Sequence, residues 1–530
     1  MNIRAGVLRP SPAWRQFMAQ EGLDWVELKS AEEIPGGSFS ALIAPSRTSP
    51  ADVQAIGAYL ATGGAVLGSA SALNGLMESR EERLRYILAA DEFSSAGMID
   101  LETDGLLPRE ANVLRTPGNT FAVFAGEWKG GVAVVLPFDP AEALTDVRAG
   151  YRNFHLNRDR LPWERVSLVG KGGVRRLVRD ALIYLHRVRG LPYVHAWYYP
   201  DGEPNVFIFR IDTDGAGEQD IDSLYALLDE YHLPASWFLD LKTQGRMLRR
   251  YHEFAGHEIG VHCDEHRIFG TESENRANIE RARSALRAAG HQPVGFAAPH
   301  GYWDLFLGNV IDEMGFAYSS EFSWAYDTLP GAPVTPAGEY RTLQVPIHPV
   351  SVGILRRAGC PSGAMAKYFA SAIRQRMRSG DPMFFYHHPS HREWGVMREL
   401  FKGARDARVP AMTMGQFAGW WSKRTASGVS VRSERGSLMI EHGNPVADGG
   451  SPALDGSSRL AEGREGAVWL SVVTADGRHA VVRPSDEIQL AAVEARPLVP
   501  PDVPRDVLRI REWDFREFLG QKFLEWRGGR

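Results

Sequence analysis

Two imidazoles four residues apart, His262 and His266, lie in the stretch His257-Glu-Ile-Gly-Val-His-Cys-Asp-Glu-His266. On a helical turn that spacing aims both rings at one point, and nitrogen ligands held that way suit a metal ion. The spacing alone is weak, because 16 histidines in 530 residues produce roughly half of one such pair by chance. His387 and His391 in fact form a second pair. The weight comes from other polar residues: Asp212 and Asp214 close one apolar run, Pro299-His300-Gly301 follows another, and His387, His388 and His391 follow a third.

The elements that must position these side chains are legible over 205–424. Strand-like runs at 206–211, 235–239, 258–261, 294–297, 317–319, 343–345 and 383–387 alternate with helical stretches such as 220–231, 273–289 and 365–378. Parallel strands each followed by a helix predict a barrel-like fold with its active site at the carboxyl ends of the strands. Four strand ends would then converge with carboxylates and imidazoles. Asp plus two His is a common ligand set for zinc-like ions that keep open positions for water.

On these residues the chain resembles the NodB-type polysaccharide deacetylases, carbohydrate esterase family 4. The likeness rests on Ile211-Asp-Thr-Asp-Gly215, Gly256-His-Glu-Ile-Gly-Val-His-Cys-Asp-Glu-His266, Gly295-Phe-Ala-Ala-Pro-His-Gly-Tyr-Trp-Asp304 and Phe385-Tyr-His-His-Pro389, the second being the most specific. It implies a distorted (β/α) barrel (NodB-like) at 205–424, a divalent metal, and removal of N-acetyl groups from amino sugars. Carried over position by position, Asp214, His262 and His266 match the metal ligands, with zinc as the first expectation and cobalt, nickel or manganese as alternatives. Asp212 is then the candidate base and His388 the candidate acid, with His387 as its alternative. Pro299, His300, Trp303 and His387 are the candidate substrate contacts; packing is the alternative for His300 and Trp303, as it is for Trp324 and Trp394.

The chain departs from the family pattern at several positions. Thr213 stands where the base Asp usually precedes the ligand Asp, so the carboxylates form Asp-x-Asp on one strand face. Ala297 stands where an Arg commonly pairs with the base, which calls for an Arg from elsewhere in space. Cys263 replaces a Ser or Thr and is expected as a buried thiol beside the ligands. An N-acetylated saccharide is the expected substrate. The alternatives are a catalytically weak carbohydrate-binding module, or hydrolysis of C–N bonds in small cyclic amides.

Flanking this barrel, residues 1–125 alternate apolar and amphipathic runs and predict a doubly wound α/β domain. This part loosely resembles the noncatalytic glutamine-amidotransferase-like domains found beside carbohydrate enzymes. It holds no cysteine, so it lacks the nucleophile of that chemistry. Residues 126–204 are expected as a bridging segment. Residues 425–530 predict a small β-sandwich with a polar loop at 449–456 and a closing helix at 513–526, serving carbohydrate binding or packing alone. A net charge of -5 carries no polyanion signature, which argues against nucleic acid. Two cysteines are too few for a disulfide framework. No run approaches the roughly 18 apolar residues of a membrane span, and without a signal-peptide pattern at residues 1–10 the expected location is cytoplasmic.

Overall fold

In the computed structural model, residues 2–44, 48–88, 93, 95, 97–154, 162–442, 467–497 and 510–511 are described. The N-terminal part is built on a nine-stranded sheet in the order Trp25–Leu28, Ala5–Leu8, Ala41–Ala44, Ala65–Ser69, Gly131–Leu136, Phe121–Trp128, Val113–Arg115, Ser79–Leu88 and Met98–Pro108. Its first five strands are parallel and the remainder antiparallel. Ala41 and Ile43 enter the core beneath helices Pro12–Glu21 and Lys171–Val188, whereas Leu42 and Ala44 enter the core beneath helix Pro50–Ala61. Burial on both faces is what makes Ala41–Ala44 uniformly apolar rather than alternating.

The segment expected as a bridge, 126–204, is shared among the bodies it was to connect. Gly131–Leu136, buried along its whole length, lies inside the first sheet, and helix Lys171–Val188 covers that sheet. Strands Ala149–Phe154 and Trp163–Ser167 pair as a hairpin. Trp197, Tyr198 and Tyr199 pack into the core of the next body.

That next body is an open parallel barrel. Its strands run in the order Leu343–Gln344, Tyr318–Ser320, Gly295–Ala297, Glu258–Cys263, Ser236–Asp240, Phe207–Asp212 and Met383–His387, all parallel, and Ala411–Met412 also pairs with Phe207–Asp212. The gap between its outer strands is spanned by irregular chain: Val345 N–H donates to Ser319 O at 2.8 Å and His348 N–H to Phe384 O at 3.0 Å. Every strand therefore ends on one rim, which is where the polar residues of the sequence motifs gather.

Two small antiparallel sheets follow. One holds Val429–Glu434, Ser437–His442 and Glu487–Gln489; the other holds Tyr193–Ala196, Leu470–Val473, Arg478–Val482 and Arg496–Pro497. They share a core of Val194, Val431, Leu438, Ile440, Leu470, Val472 and Ile488. The expected loop at 449–456 and helix at 513–526 lie outside the described residues. Among the described residues no helix is long and apolar enough to cross a membrane.

Candidate active site

The first barrel strand, Phe207–Asp212, sets the geometry. Alternation along it puts Arg210 and Asp212 on one face. Arg210 Nε and Nη2 donate to the two oxygens of Asp212 at 2.7 Å each, and Nη1 reaches Ser320 O at 2.8 Å. Both side chains are buried. Burial pushes the Asp212 carboxyl up, but the Arg210 guanidinium, with His262 and His388, outweighs it and holds the group down at about 2. Thr213 points the other way and ties the strand to its neighbour: its hydroxyl donates to Phe238 O at 3.2 Å and accepts from Asp240 N–H at 3.1 Å. Gly215 then takes φ 67, a left-handed turn that suits glycine, as the chain leaves the rim behind Asp214.

Asp214, His262 and His266 come together, with one donor atom from each lying within 4.8 Å of the others. His262 Nε2 is 3.7 Å from Asp214 Oδ1, and His266 Nε2 is 3.8 Å from Asp214 Oδ2. His262 is the last residue but one of strand Glu258–Cys263, and its Nδ1–H donates to Ala297 O at 2.7 Å. That hydrogen bond fixes the tautomer and leaves a lone pair on Nε2. Burial, the largest effect, pushes the His262 imidazole down to about 4 against the raising influence of Asp212 and Asp214, so the ring is neutral near pH 7. Asp214 Oδ1 and His262 Nε2 are both buried without a hydrogen-bond partner. Two lone pairs that close repel each other unless a cation lies between them, so the donor set fits a divalent metal.

His388 faces the same point, with Nε2 3.5 Å from Asp214 Oδ1 and 4.0 Å from Asp212 Oδ2. His387, carried from the sequence as a substrate contact and alternative acid, is fully buried, with its ring beside those of His391 and Trp394. The cause is strand alternation, which turns consecutive residues to opposite sides. Trp303 also departs from its substrate-contact expectation: it is buried against Trp324 at 4.8 Å and Tyr340 at 5.6 Å, in a small satellite core. Pro299 is buried too and shapes the turn rather than a binding surface. His300 is exposed, takes φ 60, and stands with its ring 4.6 Å from that of His266. Cys263 is buried, and burial with Asp240 and Asp214 nearby pushes its thiol far up, which leaves it unreactive.

The residue that motif reading missed is Arg210. It clamps Asp212 from two positions earlier on the same strand, while Ala297, where an Arg was looked for, supplies only its carbonyl to His262. The period-two spacing of Arg210 and Asp212 was the available signal.

The family profile of the polysaccharide deacetylases matches residues 208–319. Among curated proteins, the chain is 29% identical over 113 residues to the peptidoglycan deacetylase of Helicobacter pylori, a stretch that is 19% of this chain and 37% of that protein. The chain therefore spans little more than a third of that relative's length. Among solved structures it is similar to a putative polysaccharide deacetylase from Mycobacterium smegmatis, at 22% identity and a TM-score of 0.36, covering 42% of this chain and 91% of that one. It is also similar to a family 4 carbohydrate esterase from Streptomyces lividans, at 14% identity and a TM-score of 0.29, covering 39% and 92%.

Proposed function

We propose, from the match of residues 208–319 to the polysaccharide-deacetylase family profile, that the protein is a metal-dependent hydrolase removing an N-acetyl, or more broadly N-acyl, group from an amino-sugar-containing saccharide. The observation that carries this reading is the convergence of Asp214, His262 and His266 around two buried, unpartnered ligand atoms, with Asp212 and His388 beside them. A divalent ion held there, zinc as the first choice, would polarise the acyl carbonyl and acidify water.

The chain's own residues supply the rest. Asp212, held near pKa 2, stays ionised throughout the working range and is oriented by two hydrogen bonds from Arg210. It is the acceptor for the proton of the attacking water. His388, whose ring is part-exposed at the rim, donates a proton to the departing amine. His262 cannot share that duty, because its Nδ1–H is committed to Ala297 O.

The test couples metal content to amine release from N-acetylglucosamine oligomers. His262→Ala loses bound metal and turnover together. Asp212→Asn keeps the metal and loses turnover by about 100-fold or more. Turnover by metal-stripped protein, or undiminished turnover in Asp212→Asn, overturns the reading.

A further inference from the structure

The hairpin of Ala149–Phe154 and Trp163–Ser167 precedes the barrel in the chain, yet it is sewn to the rim of the candidate site. Ser167 N–H donates to Phe322 O at 3.2 Å, and Arg165 Nη1 reaches Ser323 Oγ at 3.4 Å. The Arg165 guanidinium also lies 4.5 Å above the ring of Tyr302. Tyr302 follows His300 and Gly301 at the rim, and His300 packs on the ligand-set ring of His266. The hairpin thus continues the wall that begins at the candidate metal centre.

Its register decides which side chains it presents. Tyr151 stands opposite Arg165 and Asn153 opposite Trp163, so Tyr151, Trp163 and Arg165 share one face. Val166, on the other face, is buried in the barrel core, which turns the first face outward. Tyr151 is 37% exposed, and its ring meets that of Trp163 at 4.7 Å, edge to face. Strand rise places Trp163 about 7 Å beyond Arg165. A guanidinium at the rim followed by two aromatic rings is a surface on which a sugar ring can stack its C–H face while its hydroxyls accept N–H donors.

We infer that this hairpin forms a saccharide subsite, holding a sugar ring that adjoins the unit presented to Asp214, His262 and His266. The inference rests on the proposed saccharide hydrolysis and adds that the substrate is an oligomer, read by residues outside the matched domain. A longer saccharide is bound more tightly because it reaches both places.

The test measures affinity by calorimetry, on the full chain loaded with metal, for the disaccharide and the hexasaccharide of N-acetylglucosamine. Amine release is measured on the same ligands. The hexasaccharide is expected to bind about tenfold more tightly, with Trp163→Ala, Arg165→Met and Tyr151→Ser each bringing the ratio toward one. Tyr151→Ser changes an exposed ring and guards against a folding defect in the other two. Equal affinity for the two lengths, or a ratio that survives all three substitutions, overturns the subsite. A length preference that depends on Trp163, in a chain that releases no amine at any length, keeps the subsite and overturns the hydrolase reading instead.

Discussion

Arg210 and Asp212 are both removed from water, and the Asp212 carboxylate depends on the Arg210 guanidinium for its ionised state. Arg210→Met leaves a buried carboxylate with no cation beside it, which is expected to cost about 3–5 kcal/mol at neutral pH. The sign with pH follows from the two states of the carboxyl. In the native chain its pKa is depressed to about 2, so its contribution is complete above the unfolded value of about 3.9 and fades as pH falls toward 2. Without Arg210, burial dominates and raises that pKa, so protonation relieves the variant as pH falls. Thermal unfolding followed from pH 7 to pH 4 should therefore show the gap between native chain and variant narrowing; a constant gap would mean that Arg210 acts through packing alone. That a clamp was needed could be read from the sequence once Ala297 was seen, because the candidate base lacked its usual cation. The family motif looks for that arginine on the fourth strand, whereas the clamp comes from the base's own strand, where only the period-two spacing of Arg210 and Asp212 pointed to it.

Strands explain most of what the sequence revealed about the site and most of what it concealed. The expected barrel strands agree with the observed ones to within a residue or two, and the ends bearing Asp212, His262 and His388 do meet. Trp303 was ambiguous because an aromatic ring suits a sugar cleft and a satellite core equally well, and only the neighbours Trp324 and Tyr340 decide between them. Thr213 holds the first strand to the second through both its hydroxyl bonds, and Asp214 is the next residue. Thr213→Val keeps the volume but deprives the Asp240 N–H of its acceptor. It should cost about 1–2 kcal/mol and weaken metal affinity, because the strand end carrying Asp214 keeps only the backbone bond from residue 213 N–H to Phe238 O and loses both hydroxyl bonds. Denaturant unfolding and metal titration read the two effects separately; a loss of stability with unchanged metal affinity would assign Thr213 to the barrel wall only.

At the scale of the whole molecule, the barrel does not end where its repeating pattern ends. Trp197, Tyr198 and Tyr199 precede residue 205 yet lie in the barrel core, and the Tyr199 hydroxyl donates to Gly380 O at 2.6 Å. Arg424, buried at the far end, donates to Trp197 O and Ala196 O at 2.7 Å each, and Gln20 of the first helix donates to Leu329 O at 3.0 Å. These partners lie far apart in the chain, so no local pattern could announce them; periodicity finds elements, while the seams between bodies are made of single long-range contacts. Three buried aromatic side chains at about 1.5–3 kcal/mol each are a large fraction of the stability of an ordinary domain, about 5–15 kcal/mol. A fragment spanning 205–424 contains every candidate catalytic residue but loses those rings and all four carbonyls to which Arg424 donates, those of Ala19, Glu21, Ala196 and Trp197. It is expected to show no cooperative thermal transition by circular dichroism. A fragment spanning 191–424 regains the rings and the Ala196 and Trp197 carbonyls, and should melt cooperatively below the full chain, since Tyr198 and Arg424 still lack their contacts to Glu21. Equal melting of the two fragments would show that the barrel is self-sufficient and that the aromatic triad only anchors its neighbours.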